Sequence, residues 1–248
     1  MQEETVYRPK AMVEIGGKPI LWHIMRYYRH FGVRRFIICL GYRGNDIRDY
    51  FLNYRNHNSD IEIDLSNGAI DLKGTPSQTT GDDWNVILAE TGQDSQTGAR
   101  IKKILPYIEN DRFFATYGDG VADVDLAALL QQHMEHEKQA TVTAVHPSSR
   151  FGELDINKGL ARSFVEKPQV QEGWINGGFF VFEKSAFSNT PNQDDLVLES
   201  GVLEKLASSE QLAVYAHTGF WQCMDTVREN QLLNEVWRSG AAPWNVWK

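Results

Sequence analysis

Residues 113–120 read Phe113-Phe114-Ala115-Thr116-Tyr117-Gly118-Asp119-Gly120. The aromatic and β-branched start is the composition of a short buried strand, and the Gly-Asp-Gly turn stops it abruptly. An aspartate is thereby presented at a strand's carboxyl end, the edge where ligands collect in open α/β sheets. Between glycines its carboxylate can approach a metal ion or a metal-bound phosphate without obstruction. An Asp-Gly turn with no chemical role is the alternative from this stretch alone.

Upstream, Arg8-Pro9-Lys10 is an extended segment, because proline disfavours helix in the residue before it. Met12 to Ile15 reads as a short strand closed by Gly16-Gly17, and Pro19 opens an amphipathic helix that Gly32 stops. Phe36 to Leu40 is a continuous apolar run, the pattern of a strand buried on both faces. Asn45 is placed to cap the helix that follows. Helix, buried strand, helix implies a parallel sheet with helices on both faces. Ile61, Ile63 and Leu65 then alternate with polar residues, Asn67-Gly68 supplies a turn, and Ile70 and Leu72 alternate again, a hairpin leaving the sheet. A second hairpin is expected around Asn157-Lys158-Gly159. The expected fold is α/β: a Rossmann-like, mixed, mainly parallel sheet with helices on both faces and β-hairpin excursions.

The chain has 248 residues, 42% of them hydrophobic, enough for one substantial core. A net charge of −8 without a basic block argues against a nucleic-acid partner. Cys39 and Cys223 lack metal-type spacing and read as reduced thiols of a cytoplasmic protein. No apolar run approaches the roughly 20 residues of a membrane span. The histidines show no ligand spacing, and His133 and His136 read as the exposed side of a helix starting near Asp123.

Other polar residues stand at element ends. Ser95 and Arg100 flank a strand's end and a helix's start, where unpaired backbone N–H groups favour anions. Asp225 lies at the threshold of the last helix; with Asp119 it could hold one magnesium ion, or it could simply be that helix's N-cap. Lys10 could reach a phosphate or sit solvated. Glu166-Lys167-Pro168 ends a hairpin strand, with a surface ion pair as the plain alternative. Asn176 before Gly177-Gly178 offers an amide and uncovered backbone to a hydroxyl-bearing ligand, or marks a turn. Trp244 and Trp247 pack the tail down or meet a second subunit.

These segments together resemble the sugar-1-phosphate nucleotidyltransferases. Arg8-Pro9-Lys10-Ala11-Met12-Val13-Glu14-Ile15-Gly16-Gly17-Lys18-Pro19-Ile20-Leu21 is similar to that family's K-P-M signature. Tyr117 to Gly120, Phe164-Val165-Glu166-Lys167-Pro168 and Ile175-Asn176-Gly177-Gly178-Phe179 resemble its metal, E-K-P and sugar-contact segments, in order. Thr91-Gly92, Thr97-Gly98-Ala99-Arg100, Gly219 to Arg228 and Ala242 to Trp247 narrow the likeness to the branch of cytidylyltransferases acting on glucose 1-phosphate.

The resemblance implies a single domain over residues 1–248 that converts CTP and α-D-glucose 1-phosphate to CDP-glucose and pyrophosphate. Family members begin with a strand and a G-G-x-G-T-R phosphate loop; this sequence starts Met1-Gln2-Glu3-Glu4-Thr5 and carries neither. It implies Mg²⁺ on Asp119 and Asp225, Lys10 at the α-phosphate, and nucleotide contacts from Ser95, Arg100 and Gly118. Glu166, Asn176 and Gly178 would bind sugar hydroxyls, Lys167 the sugar phosphate. A homo-oligomer is implied too, with hexamers in that branch. The same fold using UTP, dTTP or ATP, or a non-catalytic nucleotide- or sugar-phosphate-binding form, are the alternatives.

Overall fold

The structure, a computed structural model, describes residues 8–73, 82–147, 153–157, 160–165 and 173–247, with 153–157 and 160–165 described by backbone. Lys158 and Gly159 of the expected second turn and most of the loop before Asp83 lie outside the described residues.

A 3₁₀ turn at Lys10–Met12 leads into the hairpin β1 (Glu14–Ile15) and β2 (Lys18–Pro19). Helix α1 (Ile20–His30) begins directly after Pro19 and is followed by Gly32 at a φ of 89°. Strand β3 (Arg35–Leu40) leads to α2 (Gly44–Leu52) and the short α3 (Tyr54–His57). The cap of α2 is Arg43, in a left-handed conformation at φ 53°, and Asn45 lies inside the helix. Strands β4 (Asp60–Asp64) and β5 (Ala69–Lys73) form the expected hairpin. Strand β6 (Asn85–Glu90) then runs parallel to β3, and α4 (Thr97–Ile104) follows.

The opening stretch forms β7 (Arg112–Thr116) and, after the turn, β8 (Gly120–Ala122). Helix α5 (Leu126–His136) starts two residues later than Asp123 implies, because Asp125 accepts from the backbone N–H groups of Ala127 and Ala128 at 2.9 Å. Asp123 instead pairs with His217 at 3.0 Å. Strand β9 (Ala140–Val145) is wholly buried; β10 (Glu153–Asn157) and β11 (Leu160–Val165) make the second hairpin. The long strand β12 (Ile175–Glu183) is followed by a π-helical turn at Glu199–Leu203 continuing into α6 (Glu204–Ser208). Strands β13 (Leu212–His217) and β14 (Trp221–Cys223) precede the last helix, α7 (Val227–Arg238).

The architecture is mixed α/β. One four-stranded sheet has the order β13-β9-β12-β7, with β13 parallel to β9 and β12 antiparallel to both its neighbours. β3 and β6 form a separate parallel pair. Of β3 only Leu40 is fully buried, and β7 is half-buried throughout, so the apolar runs are less enclosed than their composition implies. Among the described strands only β9 and β12 have two partners. His133 is also buried, not exposed: it bonds Thr141 at 2.8 Å and Glu183 at 3.2 Å, which satisfies both ring nitrogens inside the core.

The main core joins α1, β8, β12 and the C-terminal tail through Ile20, Ile24, Val121, Phe179, Met224 and Trp244. Trp244 is fully buried and stacks on Phe220 and Trp237, while Trp247 meets Trp22 edge-on. The tail thus packs onto its own chain. Among the described residues no helix is long and apolar enough to cross a membrane.

Candidate active site

Strands β8 and β14 pair antiparallel, with Gly120 opposite Cys223, and the ladder continues one residue further where the Met224 N–H bonds the Asp119 carbonyl at 2.8 Å. This register places the residues just outside both strands side by side. Asp119 comes from the turn after β7, Asp225 from the entry to α7. The plain alternative for Asp225, that it caps the helix, does not hold. Thr226 is the cap: its Oγ1 accepts from the Glu229 N–H at 3.2 Å, and Glu229 Oε2 reaches back to the N–H groups of Thr226 at 2.8 Å and Asp225 at 2.6 Å. This capping box relieves the Asp225 carboxylate of that task.

Lys10 completes the centre. Its 3₁₀ turn is pinned by buried Met12 and Val13, and Nζ meets Asp119 Oδ2 at 2.5 Å and Asp225 Oδ1 in a second ion pair. Burial works against the ammonium, but the hydrogen bonds to Asp119 and Asp225 outweigh it and hold the Lys10 pKa above the usual lysine value. Two carboxylates from distant parts of the chain therefore converge on one positive charge. Such hard oxygen donors, few in number, suit a magnesium ion that completes its shell with water and phosphate oxygens. The nearby Cys223, Asp225 and Glu229 ligand atoms also lie within 4.8 Å of one another. That set is poorer: Glu229 is engaged in the helix cap, and burial, then the hydrogen bond to Asp225, push the Cys223 thiol up to about 12. A protonated thiol is a poor ligand.

Ser95 and Arg100 occupy the expected strand-to-helix junction but face inward. Ser95 Oγ donates to the Thr91 carbonyl at 2.6 Å and accepts from Lys103 Nζ at 2.8 Å. The Arg100 guanidinium donates to the carbonyls of Leu40 at 3.0 Å and Gln93 at 3.1 Å and to Thr91 Oγ1 at 2.7 Å. Both side chains shape the 91–96 loop. Gly118 lies beside Ala11, where an added Cβ would stand 3.5 Å away, an ordinary contact.

Asn176 and Gly178 sit at the start of β12. Gly178 has a φ of 77°, and a Cβ there would lie 2.4 Å from the Tyr117 ring, so glycine is required on both counts. The Asn176 amide accepts from the Gly178 N–H at 2.9 Å and donates to the Tyr117 hydroxyl at 3.1 Å. Tyr117 in turn donates to Glu199. Sequence reading missed Tyr117 and Glu199 as site residues. Tyr117 stood inside the opening stretch as a strand residue; Glu199 carried no motif. Glu166 and Lys167 lie outside the described residues.

Residues 5–229 match the nucleotidyl transferase family. A glucose-1-phosphate cytidylyltransferase of Salmonella typhimurium is 45% identical over 249 aligned positions, covering 100% of this chain and 95% of the relative. A Bacillus subtilis relative named as a probable glucose-1-phosphate cytidylyltransferase is 40% identical, covering 100% of this chain and 95% of its own length. Among solved structures, the inositol-1-phosphate CTP transferase from T. maritima superposes with a TM-score of 0.59 at 16% identity, covering 95% of this chain and 90% of that one. At that identity the likeness speaks for the fold.

Proposed function

The chain belongs to the nucleotidyl transferase family, as a sugar-1-phosphate nucleotidyltransferase, and from that premise we propose that it transfers a cytidylyl group from CTP to α-D-glucose 1-phosphate, giving CDP-glucose and pyrophosphate. The observation that carries this reading is the Lys10 ammonium held between Asp119 and Asp225. The 45% identity to a glucose-1-phosphate cytidylyltransferase supports the choice of substrates.

The sugar phosphate is mostly dianionic at neutral pH, since the second pKa of a phosphate monoester is about 6. One of its oxygens attacks the α-phosphorus of CTP in line, the bond to the bridging oxygen breaks, and pyrophosphate leaves on the opposite side with that electron pair. No general base is needed. The obstacle is bringing one polyanion to another, so catalysis rests on positioning and cationic neutralisation. Divalent metal use is general in this family, and Mg²⁺ on Asp119 and Asp225 would neutralise triphosphate oxygens. Lys10 supplies a positive charge to the α-phosphate, since a lysine is an ammonium at neutral pH. Ser95 and Arg100 act on the nucleotide through the loop they organise. Asn176 and Gly178, with Glu166 and Lys167, hold the sugar phosphate.

The enzyme works as a homo-oligomer in this reading. Ile61, Ile63, Leu65 and Ile70 of the β4–β5 hairpin are 40%, 53%, 90% and 62% exposed, which suits a face covered by a second subunit. Both cysteines are free thiols, in keeping with a cytoplasmic setting. The test is pyrophosphate release with Mg²⁺ and glucose 1-phosphate, comparing CTP with UTP, dTTP and ATP. Release with CTP preferred is expected; nucleotide binding without release, or preference for another base, overturns the reading.

A further inference from the structure

We infer that Glu199 is a positioning residue of the sugar subsite, acting through Tyr117 on Asn176. The inference rests on the nucleotidyltransferase reading and deepens it.

Glu199 opens the π-helical turn Glu199–Leu203, and such turns interrupt regular helix frequently at functional sites. Its two carboxylate oxygens divide between elements far apart in the chain. Oε1 accepts from the Tyr117 hydroxyl, and Oε2 accepts from Thr97 Oγ1 at 3.2 Å. Thr97 is the first residue of α4, and its Oγ1 accepts in turn from the Leu198 N–H at 2.9 Å, which locks the approach to Glu199. One side chain therefore ties the helix after the 91–96 loop to the strand that delivers Asp119 two residues beyond Tyr117.

A phenol has one proton to give. With that proton committed to Glu199, the Tyr117 oxygen presents its lone pairs to Asn176, whose Nδ2 donates at 3.1 Å. That contact fixes which end of the Asn176 amide is nitrogen, because Oδ1 accepts from the Gly178 N–H at 2.9 Å. The exposed Asn176 keeps its second amide hydrogen for a ligand hydroxyl. Take away the acceptor at Glu199 and the phenol proton must find another direction, so Asn176 loses its orientation. The Tyr117 ring also lies under Gly178, where a Cβ would approach to 2.4 Å, so the phenol packs directly against the backbone beside Asn176.

The experiment compares wild type with Tyr117→Phe, Glu199→Ala and Glu199→Gln. Calorimetric affinity for glucose 1-phosphate alone reads the inference, and pyrophosphate release with CTP reads the enzymatic assignment. Tyr117→Phe is expected to weaken glucose 1-phosphate binding about tenfold while leaving the KM for CTP unchanged, and Glu199→Ala to weaken glucose 1-phosphate binding by a similar factor and more than CTP binding. Glu199→Gln, which still offers an oxygen acceptor, should restore most of the affinity; thermal melting identifies any variant that has merely lost its fold. Equal weakening toward both substrates, unchanged sugar-phosphate affinity in Tyr117→Phe, or no difference between the Ala and Gln variants overturns the inference. Sugar-phosphate binding by a wild type that releases no pyrophosphate overturns the enzymatic assignment and leaves the variant comparison readable.

Discussion

Lys10, Asp119 and Asp225 are separated by most of the chain and share one ammonium-centred contact. Each was visible in the sequence as a polar residue at the end of an element, since strand and helix ends are where side chains meet ligands. Their mutual contact was not visible, because it depends on the pairing of Gly120 with Cys223. Asp119→Asn removes the charge proposed to face the metal while keeping the shape, so turnover should fall by about 10²–10³-fold or more with the melting temperature nearly unchanged; full activity in steady-state assays would remove Asp119 from the proposed metal site. Lys10→Ala should lower kcat by a similar order and leave the KM for glucose 1-phosphate in place. The pH dependence has a definite sign. The Lys10 pKa is raised on folding, so its ion pairs stabilise the protein below the ordinary lysine value of 10.5 and that stabilisation is lost as pH rises through the folded value. Melting temperatures of wild type and Lys10→Met should therefore converge at high pH.

At the scale of elements, periodicity located most helices and strands and failed at their ends. Asn45 has the right chemistry for a cap, yet the chain enters α2 through Arg43 in a left-handed conformation, which residue type does not announce. The start of α5 read near Asp123 falls instead at the Asp125 cap, because Asp123 is engaged by His217. The entry to α7 bears on function, because Thr226 and Glu229 cap the helix and thereby place Asp225. Thr226→Ala should cost about 1 kcal/mol of stability and lower kcat, as Asp225 loses its fixed approach; urea denaturation and steady-state kinetics check both. Gly178→Ala combines a left-handed φ with a clash on Tyr117 and should destabilise by about 1–3 kcal/mol.

For the whole molecule, the α/β class followed from the order of elements, whereas the separation into a four-stranded sheet and the β3–β6 pair rests on contacts no local pattern encodes. The tail shows the same limit: its tryptophans were legible as anchors, but not their cage around His23. That ring bonds the Ile15 carbonyl at 2.8 Å and lies 3.4 Å from the Trp244 indole nitrogen. Burial lowers its pKa to about 4, so the unfolded chain takes up a proton first on acidification and stability falls as pH drops from about 6.5 toward 4. This amounts to roughly 3 kcal/mol, and His23→Gln should flatten the slope of melting temperature against pH in that window. In the proposed mechanism β8 and β14 bring Asp119 and Asp225 together to hold a metal–nucleotide complex. The most direct test is water-proton relaxation with Mn²⁺ and CTP in the presence of wild type, Asp119→Asn and Asp225→Asn. Wild type should enhance relaxation by slowing the tumbling of the bound complex, with the enhancement lost in both variants; undiminished enhancement in either would contradict the account.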